Sequence, residues 1–162
     1  MVSVGALVAA LTALGCSTQV DEPPPDTLIT MAYSFDRVFD PPAEALVLLR
    51  GYDVNDPSEM ATIVSVQRFD VTELPTDLAL ENPDDPHLLI EQGLVEVAAE
   101  DARFYFTIYV DVDTDGQICP GDFGQDWSRS QLSSFGVNLP DTLELFVAER
   151  GDGLGCIDPL SN

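Results

Sequence analysis

Short apolar runs of strand length, separated by turn-forming residues, recur along most of this 162-residue chain. The segment from Arg103 to Val110 alternates most clearly, because its even-numbered positions are apolar and its odd-numbered positions carry Arg, Tyr, Thr and Tyr. Alternation with a period of two is typical of a β-strand with one buried face. We therefore expect a strand here, with these side chains facing the core: Phe104, Phe106, Ile108 and Val110.

The remaining runs extend this prediction to an all-β fold. The strand-length runs are Thr27–Phe35, Ala45–Tyr52, Met60–Phe69, Leu88–Ala98, Arg103–Val112 and Thr142–Arg150. Pro42–Leu49 and Asp126–Phe135 favour a helical turn instead, so we expect at most one short helix. A single open sheet of this size would leave one apolar face in water. The prediction is a single β-sandwich domain over residues 27–162, with six to eight strands and an immunoglobulin-like or transthyretin-like topology.

The N-terminal residues are apolar and uncharged up to Cys16, where polar sequence begins. This run is shorter than the roughly 20 helical residues that span a bilayer, so it indicates an export signal. Its end, Ala13-Leu14-Gly15-Cys16, resembles the lipobox of bacterial lipoproteins, in which signal peptidase cleaves before the cysteine and the cysteine carries lipid. The resemblance implies a signal peptide over residues 1–15 and a lipidated Cys16 with a Pro-rich spacer over residues 16–26. A buried N-terminal helix with an incidental cysteine is the alternative.

The same resemblance and the charge of the chain restrict where it acts and what it binds. Ser17 matches the sorting context of outer-membrane lipoproteins, which implies an envelope protein and, in a Gram-negative host, the outer membrane. The 29 acidic residues against six arginines and no lysine give a formal charge of -23, which repels nucleic acid and anionic headgroups. The lipid bilayer is therefore reached through acylated Cys16, and a protein or glycan of the envelope is the further partner we expect. A halophilic host would also explain the acidic surface.

Two cysteines remain once Cys16 is assigned to lipid. Cys119 and Cys156 form an even pair in an exported chain, which predicts a disulfide between them. The closed loop of about 38 residues corresponds to roughly 4 kcal/mol in the chain-entropy estimate. Two free buried thiols are the alternative, while a zinc site lacks the close ligand spacing that zinc requires, since His87 is the one histidine.

One segment carries a chemical motif. From Asp111 to Asp122, acidic residues occupy positions one, three, five and twelve, with Gly116 at position six. This spacing resembles the calcium loop of EF-hand proteins, in which alternating carboxylates converge on an ion that takes six to eight oxygens. The resemblance implies a structural Ca²⁺ held by these residues: Asp111, Asp113, Asp115, Gln117 through its backbone carbonyl, and Asp122.

The loop departs from the EF-hand pattern in its surroundings. The segment before it alternates as a strand does, Pro120 stands where the exit helix would begin, and Asp122 replaces the usual glutamate. Ile118 matches the hydrophobic position of the family loop. We therefore expect an EF-hand-like loop between strands, with an ion-free acidic turn as the alternative.

The sequence gives no catalytic signature. It contains no nucleophile elbow, phosphate loop or dinucleotide fingerprint, and His87 is most simply a surface residue. The expected function is non-catalytic: a calcium- and disulfide-braced lipoprotein domain with a structural or protein-interaction role. One alternative is a carbohydrate- or peptide-binding module, for which four aromatic side chains are candidates: Tyr52, Tyr105, Tyr109 and Trp127. A small hydrolase that uses a carboxylate pair is the other.

Overall fold

The described residues of the computed structural model, 27–56, 61–80, 90, 93, 97–130 and 134–161, are dominated by strands. Their seven strands are β1 (Thr27–Ala32), β2 (Arg37–Asp53), β3 (Thr62–Leu74), β4 (Thr76–Leu80), β5 (Ala102–Asp111), β6 (Phe123–Gln125) and β7 (Thr142–Glu149). The predicted all-β class is confirmed. No helix within these ranges is long and apolar enough to cross a bilayer.

The seven strands form one sheet in the order β3-β2-β5-β6-β7-β1-β4. Neighbouring strands are antiparallel except β1 and β7, which are parallel. The sheet is nearly closed, since its two outermost strands, β3 and β4, are separated in the chain by Pro75 alone. The two-layer sandwich is not confirmed, because the hydrogen bonding runs through all the strands without a break. The immunoglobulin-like or transthyretin-like topology stays a prediction.

Strand β5 supplies the centre of the core, as its alternation predicts. Its four apolar side chains at even positions are at most 3 % exposed, and they pack with the inward residues of β2 and β7. Burial of an aromatic or branched aliphatic side chain contributes about 1.5–3 kcal/mol, so this strand is a main source of the stability of the fold. The inward side chains of β5 are Phe104, Phe106, Ile108 and Val110.

The expectation of a helical turn at Pro42–Leu49 is wrong, because this segment lies inside β2. From Glu44 onward the backbone pairs with β3 on one side and β5 on the other. The ladder is irregular between Val38 and Ala43, which spares the two prolines from ladder positions where an N–H is required. Pairing on both edges overrides the helical propensity of an Ala- and Leu-rich segment.

Strand β2 is buried on both faces over part of its length. Ala45, Val47 and Leu49 face the core, while Leu46 and Leu48 are buried on the opposite face. That opposite face carries the C-terminal segment, since Arg50 Nη2 donates a hydrogen bond to the Pro159 carbonyl at 3.2 Å. A strand covered on both faces reads as a continuous apolar run, which explains why its sequence lacks clear alternation.

The second expected helical segment begins as a turn. The Ser130 N–H donates to the Asp126 carbonyl at 2.8 Å, and Phe135 at the far end pairs with Phe104 as an isolated β-bridge. Residues 131–133 lie outside the described part of the chain. The strand expected at Leu88–Ala98 is wrong in its described residues, because Ile90 has helical backbone and Gly93 lies in a turn with φ +71°.

The strand register fixes which loops share an end of the sheet. Val110 of β5 pairs with Phe123, which pairs with Glu149 of β7, so the loop after β5 and the end of β7 lie together. Leu28 of β1 pairs with Thr142 at the other end of β7. The chain therefore enters the sheet at the end opposite the Asp-rich loop, and we name the end that carries residues 111–122 the loop end.

Candidate metal centre

Asp111 anchors the candidate site as the last residue of β5. Its side chain is fully buried. The Oδ2 atom accepts a hydrogen bond from the Gly116 N–H at 2.7 Å, whereas Oδ1 is buried and has no hydrogen-bond partner among the described residues. Buried carboxylate oxygens are normally paired, because an unpaired buried acceptor costs about 1–3 kcal/mol and more if it is charged. This oxygen therefore lacks the partner that a bound cation would supply.

The backbone of the loop brings two more carboxylates to the same place. Asp113 Oδ1 accepts from the Asp115 N–H at 3.3 Å, and Asp115 Oδ1 accepts from the Gln117 N–H at 2.8 Å. In each of these turns an Asp side chain accepts a hydrogen bond from the backbone N–H two residues later, and the two turns together make the loop compact. Gly116 adopts φ +86°, the left-handed region that favours glycine. The loop thus forms the compact arrangement that the spacing predicts.

The three aspartates form one oxygen-only cluster. One carboxylate oxygen from each of Asp111, Asp113 and Asp115 lies within 4.8 Å of the others. Burial raises the pKa of the Asp111 carboxyl above its usual range, and the neighbouring acids Asp113 and Asp122 add to the rise, although backbone N–H groups oppose it. A divalent cation reverses the repulsion among such charges, and hard cations such as Ca²⁺ prefer carboxylate oxygens. The donor set fits a metal ion of this kind.

Asp122, the predicted twelfth ligand, has a different position. It is buried, with Oδ1 accepting from the Val112 N–H at 2.8 Å and Oδ2 from the Cys119 N–H at 2.7 Å. Both oxygens thus hold the two ends of the loop together, and Asp122 is not part of the carboxylate cluster. Gln117 is exposed beside the cluster. The ligand roles of Asp122 and Gln117 stay predictions.

The disulfide predicted between Cys119 and Cys156 is present. Ile118, which is buried, pairs with Ile157 through two backbone hydrogen bonds of 2.9 and 3.0 Å, so the disulfide continues a short antiparallel bridge. Arg150 N–H donates to the Asp122 carbonyl at 2.8 Å in the same region. The C-terminal segment is thereby fastened to the Asp-rich loop by covalent and hydrogen bonds.

An open groove of about 350 Å³ lies next to this junction. Its floor contains Gly124 and Ala148, which pair with each other across β6 and β7, while Tyr109 pairs with Gly124 from β5. The other lining residues are Gln125, Asp126, Trp127, Glu149, Arg150, Leu154 and Ile157. Trp127 and Tyr109 were aromatic candidates from the sequence, whereas the contribution of the C-terminal segment was missed. The one sequence signal for this contribution is Cys156, because its predicted disulfide with Cys119 brings the C-terminal segment to the Asp-rich loop.

The other candidate residues are not part of the groove or lie outside the described residues. Tyr52 and Tyr105 pack edge to face with their ring centroids 5.9 Å apart, and burial raises the pKa of Tyr105. Neither lines the groove. Cys16, Ser17 and His87 lie outside the described residues, so lipidation and the surface position of the histidine stay predictions.

No family model and no curated protein matches the chain. Among solved structures, the chain is similar to an alternative pilotin from the type II secretion system of Vibrio cholerae. The two are 17 % identical, and the match covers 77 % of this chain and 97 % of the pilotin, with a TM-score of 0.37.

Proposed function

We propose that this chain is a lipid-anchored exported protein whose β domain is a calcium- and disulfide-braced, non-catalytic interaction module. The observation that carries the proposal is the fully buried Asp111 carboxylate, which has an unpartnered oxygen and lies within 4.8 Å of two further carboxylates. Burial of a charge without a partner is expensive, so the arrangement is favourable with a cation in place. The disulfide at Cys119 fixes the same loop from outside the cluster.

Calcium is the ion we propose for this cluster. Carboxylate and carbonyl oxygens in a flexible loop suit Ca²⁺, which accepts six to eight ligands at varied geometry, better than Mg²⁺, which requires a near-ideal octahedron. Asp113 and Asp115 are exposed, so water or Gln117 is available to complete the shell. Extracellular modules bind Ca²⁺ with a Kd of about 10⁻⁴–10⁻³ M, so millimolar calcium should raise the free energy of unfolding of the domain by about 1 kcal/mol.

Thermal unfolding of the purified protein in chelator and in millimolar Ca²⁺ tests the ion. We expect calcium to raise the midpoint of the parent and to leave an Asp113→Ala, Asp115→Ala variant unchanged, because only the parent keeps the cluster. Asp36→Ala, Asp152→Ala is the matched control: it removes the same charge from two exposed aspartates outside the loop, and it must respond as the parent does. If neither the parent nor this control responds, the loop is an acidic turn and the calcium proposal is wrong.

The lipid anchor is proposed from the lipobox-like end of the N-terminal run at Cys16. In support, the strand register places Thr27 at the end of the sheet opposite the Asp-rich loop. An anchor before Thr27 would direct the loop end away from the bilayer, where partners are accessible. Labelling of cells with radioactive palmitate, followed by membrane fractionation, tests the anchor. Cys16→Ser abolishes label and membrane retention on this proposal, while Cys119→Ser, Cys156→Ser keeps both; a Cys16→Ser protein that stays fully lipid-bound would refute it.

We infer an interaction role and not catalysis because the described residues present a groove with exposed aromatic and aliphatic side chains. Trp127 is 49 % exposed and borders this groove together with Tyr109. Large exposed apolar side chains that cluster at a concave surface mark an interaction site. The same observation favours the peptide- or carbohydrate-binding alternative.

A further inference from the structure

The groove beside the Asp-rich loop combines an apolar floor with aromatic and acidic borders. Leu154 and Ile157, from the C-terminal segment, are 55 % and 37 % exposed, and together with Trp127 they leave three large apolar side chains in contact with water around one concavity. Scattered exposed apolar residues are ordinary, but a group of them around a groove marks an interaction surface.

Small residues create the concavity. Gly124 and Ala148 lie side by side on β6 and β7, and Tyr109 follows in the same row on β5. Paired residues of neighbouring strands project to the same face, so two minimal side chains are flanked by a large aromatic one. The C-terminal segment, which supplies Leu154 and Ile157 to the lining, is joined covalently to the Asp-rich loop by the Cys119–Cys156 disulfide.

Two of the three charged lining residues are acidic. Asp126 and Glu149 line the groove, and a hydrogen bond from the Ser128 hydroxyl holds the pKa of Asp126 below its usual range, so this carboxylate is ionised at neutral pH. Arg150 is the basic lining residue, and its Nη2 donates to the Gly155 carbonyl at 2.8 Å. A chain of formal charge -23 adds a long-range field that attracts cations.

We propose that this groove docks a lysine- or arginine-bearing extended segment of a protein partner. Lys and Arg join an aliphatic stem to a cationic head, which matches an apolar floor with acidic borders. The exposed face of Trp127 provides a cation–π contact as well. A neutral glycan would use the aromatic rings but would gain nothing from the charge, so charge complementarity selects the basic peptide.

This inference rests on the proposed interaction role and is independent of calcium. It names the partner chemistry that the role requires, and its site shares no residue with the carboxylate cluster. The calcium test and the peptide test can therefore fail separately: a peptide response without a calcium response refutes the ion alone, and the reverse refutes the docking site alone.

Trp127 is the single tryptophan of the chain, so its fluorescence reports on the groove directly. The probes are three synthetic decapeptides that share Ser and Leu positions and carry Lys, Gln or Glu at the remaining ones. We expect the Lys peptide to shift the emission of the full chain and the Glu peptide to have no effect. Because salt screens exposed charges, raising NaCl from about 50 mM to about 500 mM should raise the Kd of the Lys peptide about tenfold.

Two charge variants separate docking from general attraction to an acidic protein. Measured by calorimetry, Glu149→Gln should raise the Kd of the Lys peptide about fivefold or more. Glu144→Gln, which removes an equal charge from an exposed position of the same strand, should leave this Kd unchanged. Trp127→Ala should lose binding while its circular dichroism stays that of the parent. The proposal would be overturned if the Lys and Gln peptides bound equally, or if the two Glu variants had equal effects. It would also be overturned if a neutral oligosaccharide bound in place of the Lys peptide, or if no peptide bound at all.

Discussion

Replacing Asp111 with Asn tests whether the buried carboxylate is tuned for a cation. The amide has the same shape as the carboxylate. Its oxygen can keep the hydrogen bond from the Gly116 N–H, which is 2.7 Å long in the parent. Its NH₂ group takes the place of the unpartnered oxygen, in a side chain that lies within 4.8 Å of the other two carboxylates of the cluster. The variant thus removes one buried charge and leaves the packing unchanged.

The expected stability change differs in sign between the two conditions. In chelator, the unpaired buried oxygen of the parent costs about 1–3 kcal/mol, so Asp111→Asn should be more stable by about 1 kcal/mol, or roughly 4 °C in the midpoint of a domain of this size. In about 10 mM Ca²⁺, the parent gains roughly 1.4–2.7 kcal/mol for a Kd of 10⁻³–10⁻⁴ M, while the variant gains almost nothing. The order of the two midpoints should therefore reverse on adding calcium.

Differential scanning calorimetry of both proteins in the two buffers measures this reversal. Glu144→Gln, which neutralises an exposed carboxylate far from the loop, is the control and should follow the parent in both. A variant that is less stable than the parent in chelator would show that the unpaired carboxylate is not destabilising. A variant that gains as much from calcium as the parent does would show that the Asp111 carboxylate is not a ligand.

Three further variants have expected outcomes of their own. The double change Cys119→Ser, Cys156→Ser should lower the free energy of unfolding by up to about 4 kcal/mol in urea titrations, and an unchanged midpoint would contradict the loop-closure argument. Asp122→Asn should cost about 1–3 kcal/mol in chelator and calcium alike, because an amide cannot accept both backbone N–H groups; loss of the calcium response alone would make Asp122 the ligand that the sequence predicts. Ser128→Ala should raise the pKa of Asp126 in a carbon-detected NMR titration, since the hydroxyl is the main cause of its low value. A lowered pKa contributes stability that is present above the unfolded-state pKa and lost as pH falls through the folded-state pKa, so in the variant this contribution should be smaller and its loss complete at a higher pH.

Local sequence patterns predicted the parts of the molecule that depend on local geometry. The inward residues of β5 follow from alternation alone, and the spacing of Asp111, Asp113 and Asp115 predicted their convergence, because both depend on a few consecutive backbone angles. The pairing of Cys119 with Cys156 followed from the number of cysteines that remained. Each of these predictions needed no knowledge of how distant strands pair.

Features that depend on distant pairing were not predictable in the same way. Strand β2 lacks clear alternation because Leu46 and Leu48 are buried on its second face, the face from which Arg50 reaches Pro159, more than a hundred residues later in the chain. Asp122 matches a ligand position in the sequence, yet its oxygens satisfy two backbone N–H groups of its own loop. The groove joins Tyr109, Trp127 and Ile157 through strand order that no local pattern encodes.

The parallel pairing of β1 with β7 has a consequence for biogenesis. Leu28 finds its partner Thr142 only after more than a hundred further residues have been synthesised, so one edge of β1 stays open until β7 arrives. Closing so long a loop carries a large entropic cost, and contacts of this sequence separation form slowly. Strands β1 to β5 can pair among themselves earlier, but a nascent chain of this topology cannot join its two groups of strands into one sheet until β7 has been synthesised.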